Sequence, residues 1–128
     1  MQSPGRNILV VEDHPAVRGL ILAVLAEGGH EAISAPTVSQ ALSELENGAK
    51  IGVMITDLSL PDGSGFKLAQ DVRTRFPHVG VILFTGSIDM VNATAAQSRG
   101  IVCLAKPSTP DEILETVERL QQSVGIRH

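Results

Sequence analysis

The chain contains no Trp and no Tyr, and only three Phe in 128 residues. That scarcity argues against stacking platforms for single-stranded nucleic acid. Basic residues are also in the minority, 10 against 14 acidic, for a net charge of −4. Such a balance leaves no electrostatic footprint for nucleic-acid binding. There is a single cysteine, Cys103, so no internal disulfide can form, and a reducing compartment is expected. No apolar run approaches the roughly 20 residues that a membrane-spanning helix needs. The opening "MQSPGRNILVVED" has too short an apolar part for a secretion signal, and that part ends in acid, so a cytoplasmic protein is expected. No linker, repeat or low-complexity tract divides the chain. The expectation is one domain over residues 1–128, with a core from about residue 7 to 121.

What is present is a globular composition, 43% hydrophobic and 19% charged. Five short apolar runs stand out: Ile8–Val11, a weaker Glu31–Ser34, Ile51–Thr56, Val79–Phe84 and Ile101–Ala105. Four of them are nearly continuous in Val, Ile and Leu. That pattern predicts strands buried on both faces, as in a parallel sheet. Segments of helical spacing separate them. Val17, Leu20, Ile21, Val24 and Leu25 are expected on one face, as are Val38, Ala41, Leu42 and Leu45. Phe66, Leu68, Ala69 and Val72 form a third stripe, and Ile113, Leu114, Val117 and Leu120 a last one. The segment Asp89–Arg99 is small and polar, and a weaker helix. Pro15 suits a first turn and Gly28-Gly29 a helix end. Thr37 and Ser64 are candidate caps, Asn47-Gly48 a stop, and Thr109-Pro110-Asp111-Glu112 a capped, acid-rich start. After Leu120 the sequence reads as a frayed tail. The result is a βα unit repeated five times, a single α/β domain with helices on both faces of the sheet.

In an open α/β sheet the functional edge lies beyond the carboxyl ends of the strands. The residues there are Glu12-Asp13 after the first strand, Asp57 after the third, Thr85 after the fourth and Lys106 after the fifth. Three carboxylates in one place repel one another unless a cation joins them, and an all-oxygen set suits Mg²⁺ or Mn²⁺. A divalent ion and a lysine together can neutralise a phosphoryl group. An aspartate can take that group as a nucleophile, forming an acyl phosphate. The hydroxyl of Thr85 can donate to a phosphoryl oxygen.

Four motifs, "LVVEDHP", "MITDLSLPDGSG", "VILFTG" and "LAKP", occur in this order on this (βα)₅ pattern. Together they resemble the receiver domain of two-component response regulators from about Ile8 to Leu120. The resemblance implies a flavodoxin-like, doubly wound sheet of five strands in the order 2-1-3-4-5. It implies that Asp57 accepts a phosphoryl group from a histidine kinase or a histidine phosphotransfer protein. Glu12 and Asp13 would hold Mg²⁺ (or Mn²⁺) with Asp57 and the backbone carbonyl of Ser59, while Thr85 and Lys106 would contact the phosphoryl group. It implies a signalling switch, not a turnover enzyme, with a downstream protein partner, no direct nucleic-acid or membrane contact, and room for a homodimer. The family often has a cis bond at the Lys-Pro step, which makes Lys106-Pro107 a candidate.

Two departures from the family pattern matter. The strand position three before the lysine usually carries Tyr or Phe, and here it is Cys103. The residue after Lys-Pro is Ser108, where an aromatic is common. Output coupling is therefore expected to be atypical. Small hydroxyls, Ser59 and Ser87, flank the acceptor and Thr85 sides of the site. Competing functions fare worse. An aspartyl-phosphate phosphatase of the haloacid dehalogenase type wants a second Asp where Ser59 stands. A flavodoxin wants a phosphate-cradling loop where "EDHPAVR" puts acids. A receiver-like module that is never phosphorylated is disfavoured by the full acid and lysine set.

Overall fold

Branched apolar residues in unbroken runs leave no polar face for water, so each run must be covered on both sides. The computed structural model describes residues 7–47, 50–85, 101–105 and 109–126, with the backbone alone for residues 7, 85, 105 and 122–126. Five strands form one parallel sheet: β1 (Asn7–Val11), β2 (Ala32–Ala35), β3 (Ile51–Asp57), β6 (Gly80–Thr85) and β7 (Ile101–Ala105). Their order is β2-β1-β3-β6-β7. Counting the long strands alone, that is the expected 2-1-3-4-5. The extra pair, β4 (Ser59–Leu60) and β5 (Gly63–Ser64), is a two-residue antiparallel ribbon, in a stretch that reads from sequence as a loop.

The period of two along each strand sends alternate side chains to opposite layers. Leu9, Val11, Met54, Val81 and Leu83 meet Ala41 and Leu45 of α2 (Val38–Glu46) and Leu68, Ala69 and Val72 of α3 (Gly65–Arg75). Ile8, Val10, Val53, Ile55, Ile82 and Phe84 meet Ile21, Val24 and Leu25 of α1 (Pro15–Glu27) and Ile113 and Val117 of the C-terminal helix (Pro110–Ile126). The two apolar layers thus sandwich the sheet.

The helix ends follow local chemistry. Thr109 and Glu112 form a reciprocal capping box: the Thr109 amide donates to Glu112 Oε1 at 2.8 Å, and the Glu112 amide to Thr109 Oγ1 at 3.1 Å. At the end of α1, Gly29 takes φ +83°, the His30 amide donates to Leu25 O and the Gly29 amide to Ala26 O. This is a Schellman turn, which needs a residue at ease in the left-handed region. Thr37 caps α2 through the Gln40 amide.

Two expectations are corrected. Leu20 does not join the buried stripe of α1. It is 65% exposed, because at 100° per residue it lies a quarter-turn off the line through Val17, Ile21, Val24 and Leu25. Residues 121–126, expected as part of a frayed tail, are helical instead. The backbone stays helical to Ile126, no Pro intervening to stop it. The helical segment expected over Asp89–Arg99, together with Gly48, Ser87 and the Lys106-Pro107-Ser108 step, lies outside the described residues.

Candidate functional site

Strand register aligns the chemistry. Val11 pairs with Thr56, so Glu12 follows β1 at the level where Asp57 closes β3. Asp57 pairs with Phe84, and Thr85 pairs with Ala105, so the backbones of β6 and β7 end one residue beyond the Asp57 level. This is one edge of the sheet, at the carboxyl ends of β1 and β3, where the chain winds outward in both directions.

Glu12, Asp13 and Asp57 come together there. One carboxylate oxygen from each can be chosen so that all lie within 4.8 Å of one another. Their environments differ: Glu12 is 2% exposed, Asp57 is half-buried and Asp13 is open to solvent. Three hard oxygen donors at such spacing fit a small divalent cation. Glu12 is further held by the His14 amide, which donates to its Oε2 at 3.2 Å. Arg18 reaches back from the first turn of α1: its Nη1 donates to the Glu12 main-chain carbonyl at 2.9 Å and lies 3.5 Å from that of Asp13.

The main chain at Asp57 is pinned from two sides. The hydroxyl of Thr56, fully buried, donates to the Asp57 carbonyl at 3.0 Å. Gly65 backs onto the same group: a Cβ there would fall 1.7 Å from the Asp57 carbonyl oxygen, so only glycine allows the approach. The Gly65 amide in turn donates to Leu58 O at 2.7 Å. The excursion from Asp57 to Gly65 is therefore a closed loop whose exit touches its entrance.

That loop is also tied outward. Both oxygens of Asp62 accept backbone amides at the start of α2, from Val38 at 2.8 Å and Ser39 at 3.0 Å. The two amides stabilise the carboxylate and hold the Asp62 pKa below its ordinary value. Ser64 caps α3, accepting from Phe66 and Lys67, as the sequence predicts.

The structure thus gathers Glu12, Asp13 and Asp57. Ser59 stands exposed in β4, opposite Ser64 of β5. Thr85 ends β6, with its backbone alone described, and Lys106 lies outside the described residues. Cys103 pairs with Leu83 and packs half-buried against the α2–α3 layer; burial pushes its thiol pKa up. Sequence reading missed four residues. Gly65 is signalled by the second glycine of "DGSG", and Thr56 by a hydroxyl ending an apolar run. Arg18 is signalled by a cation in a helix's first turn. Asp62 gives no local signal, because its partners are 24 and 23 positions away.

Comparison with known proteins agrees with this geometry. A family model described as the response regulator receiver domain matches residues 8–118. The chain is 32% identical over 127 residues to the transcriptional regulatory protein AruR of Pseudomonas aeruginosa, covering 92% of this chain and 50% of AruR. It is 30% identical to the chemotaxis protein CheY1 of Helicobacter pylori, covering 88% of this chain and 94% of CheY1. Among solved structures, a receiver domain protein from Clostridium thermocellum superposes with a TM-score of 0.88 at 28% identity, over 96% of this chain and 99% of that one. The chain spans half of AruR and 24% of the response regulator FleR of the same organism.

Proposed function

The chain belongs to the response regulator receiver family, whose members are signalling switches, and from that premise we propose that Asp57 is its phosphoryl acceptor. The observation that carries this reading is the meeting of Glu12, Asp13 and Asp57 at the carboxyl edge of the sheet. A carboxylate oxygen of Asp57 attacks the phosphorus of a phosphohistidine on a histidine kinase or a phosphotransfer protein. The N–P bond breaks, the imidazole leaves and regains a proton, and an acyl phosphate remains on Asp57. Hydrolysis by water later restores the carboxylate and releases phosphate.

Glu12, Asp13, Asp57 and the Ser59 carbonyl would hold Mg²⁺ or Mn²⁺, which supplies charge neutralisation for the transferring group. Lys106, next after Ala105 at the end of β7, would add a second positive charge. Thr85, at the end of β6, would donate its hydroxyl to a phosphoryl oxygen. Thr56 and Gly65 fix the main chain of the acceptor, so the nucleophile starts in one orientation. On this reading residues 1–128 form a single receiver domain of the cytoplasm, acting on a downstream protein. Among the described residues no helix is long and apolar enough to cross a membrane. Cys103 leaves β7 without the usual ring, so the signal leaves the site by another route.

The test is incubation with acetyl phosphate and Mg²⁺, followed by intact-protein mass. One added phosphoryl group is expected on the wild type and none on D57N. If acetyl phosphate fails as donor, a phosphorylated phosphotransfer protein replaces it. Failure with both, or an adduct that persists in D57N, refutes the assignment.

A further inference from the structure

Helix α1 opens with Pro15 as a first turn should, but its charges and cap run against the ordinary rules. Its first turn contains no acid, its N-cap His14 makes no side-chain capping bond, and Arg18 places a cation where the helix dipole already contributes positive charge. Local choices that oppose propensity concentrate where a function holds them. Arg18 is half-buried, and among the described residues it forms no ion pair with a carboxylate. Its Nη1 goes instead to the main-chain carbonyl of Glu12 at 2.9 Å, with that of Asp13 at 3.5 Å.

We propose that Arg18 is a positioning residue for the metal site, holding the Glu12-Asp13 peptides by their carbonyls so that both side chains are left to present carboxylates beside Asp57. The inference rests on the proposed reading that this cluster binds a divalent cation. Carbonyls engaged by the guanidinium compete less for the ion, and Arg18 itself takes the carbonyls and not the carboxylates. The positive charge also eases repulsion among three acids before a cation arrives. Partners that orient ligands without touching the metal commonly control affinity.

Two roles for Arg18 predict opposite signs. If it acted only as a nearby charge, removing it would tighten cation binding, since like charges repel. If it positions the loop, removal weakens binding, on the order of tenfold. The experiment measures Mn²⁺ affinity by the electron paramagnetic resonance of the free ion, for wild type, R18M, R18K and D57N. Amide hydrogen exchange on the metal-free proteins reports the His14 amide, which donates to Glu12. Positioning predicts weaker Mn²⁺ binding in R18M, an intermediate value in R18K, and faster exchange at His14 in R18M. R18M binding as tightly as wild type or more so, whatever its thermal stability, overturns the inference. Wild type binding no Mn²⁺ better than D57N overturns the metal reading itself and the inference with it. Binding by wild type that R18M leaves unchanged overturns the inference alone.

Discussion

Gly65→Ala tests how tightly the loop from Asp57 to Gly65 is closed. The added Cβ would sit 1.7 Å from the Asp57 carbonyl oxygen, 2.8 Å from its carbon and 3.1 Å from Thr56 Oγ1. Carbon contacts are comfortable at about 3.5 Å, so backbone must move by well over an ångström. Overpacking of this kind costs about 1–3 kcal/mol. Displacing the loop also strains the 2.7 Å bond from the Gly65 amide to Leu58 O, worth about 1 kcal/mol. Alanine's advantage over glycine at a helix position returns about 0.5–1 kcal/mol. The net expectation is a loss of about 2 kcal/mol, a large part of the 5–15 kcal/mol typical of a domain. Far-UV circular dichroism during urea unfolding is the assay, since a chain without Trp or Tyr gives little useful intrinsic fluorescence. Gly63→Ala is the control: its Cβ would meet only Val38 Cγ2, at an ordinary 3.5 Å. Because the displaced atoms belong to Asp57, the proposed acceptor, G65A should also weaken Mn²⁺ binding, and G63A should not. A G65A protein as stable as wild type would refute the close approach and the pinning argued from it.

Three other outcomes are expected. Gly19→Ala should raise stability by about 0.5–1 kcal/mol in the same urea assay, since Gly19 lies inside α1 with nothing within 4 Å of a new Cβ; a loss would contradict the open helical setting. Asp62→Ala should destabilise at neutral pH, and the gap from wild type should narrow in acid. The Asp62 pKa is depressed by the Val38 and Ser39 amides, so its contribution is present above the ordinary value of 3.8 and is lost as pH falls through the lower folded value. A gap that stays constant into strong acid would rule out the tether. With beryllofluoride as phosphoryl mimic, amide shifts along β7 and over residues 89–99 should be smaller than in a receiver with a ring at the Cys103 position; shifts of equal size would reject altered coupling.

The receiver-domain reading follows from four ordered motifs, and the (βα)₅ order from the chain's own punctuation, because both are local in sequence. Caps such as Thr37, Ser64 and Thr109 act within three or four residues and are equally legible. The identity of the acid set, Glu12, Asp13 and Asp57, needs only the rule that parallel strands end on one edge. Leu20 departs from its stripe because five apolar residues span more of the helix than the core it meets can cover. The β4–β5 ribbon is not legible in sequence, because two-residue strands carry no period.

What sequence determined, then, is which residues carry charge and hydroxyls and which strand ends they occupy. Tertiary structure alone decided how these are held. Asp62 is chosen by the amides of a helix 24 positions away, Gly65 by the carbonyl it must pass, and Arg18 by carbonyls made available only when β1 turns into α1. Each of these is a hydrogen bond to, or a close approach against, a main-chain group. Main-chain groups are the same at every position of a sequence, so only the fold can say which ones meet.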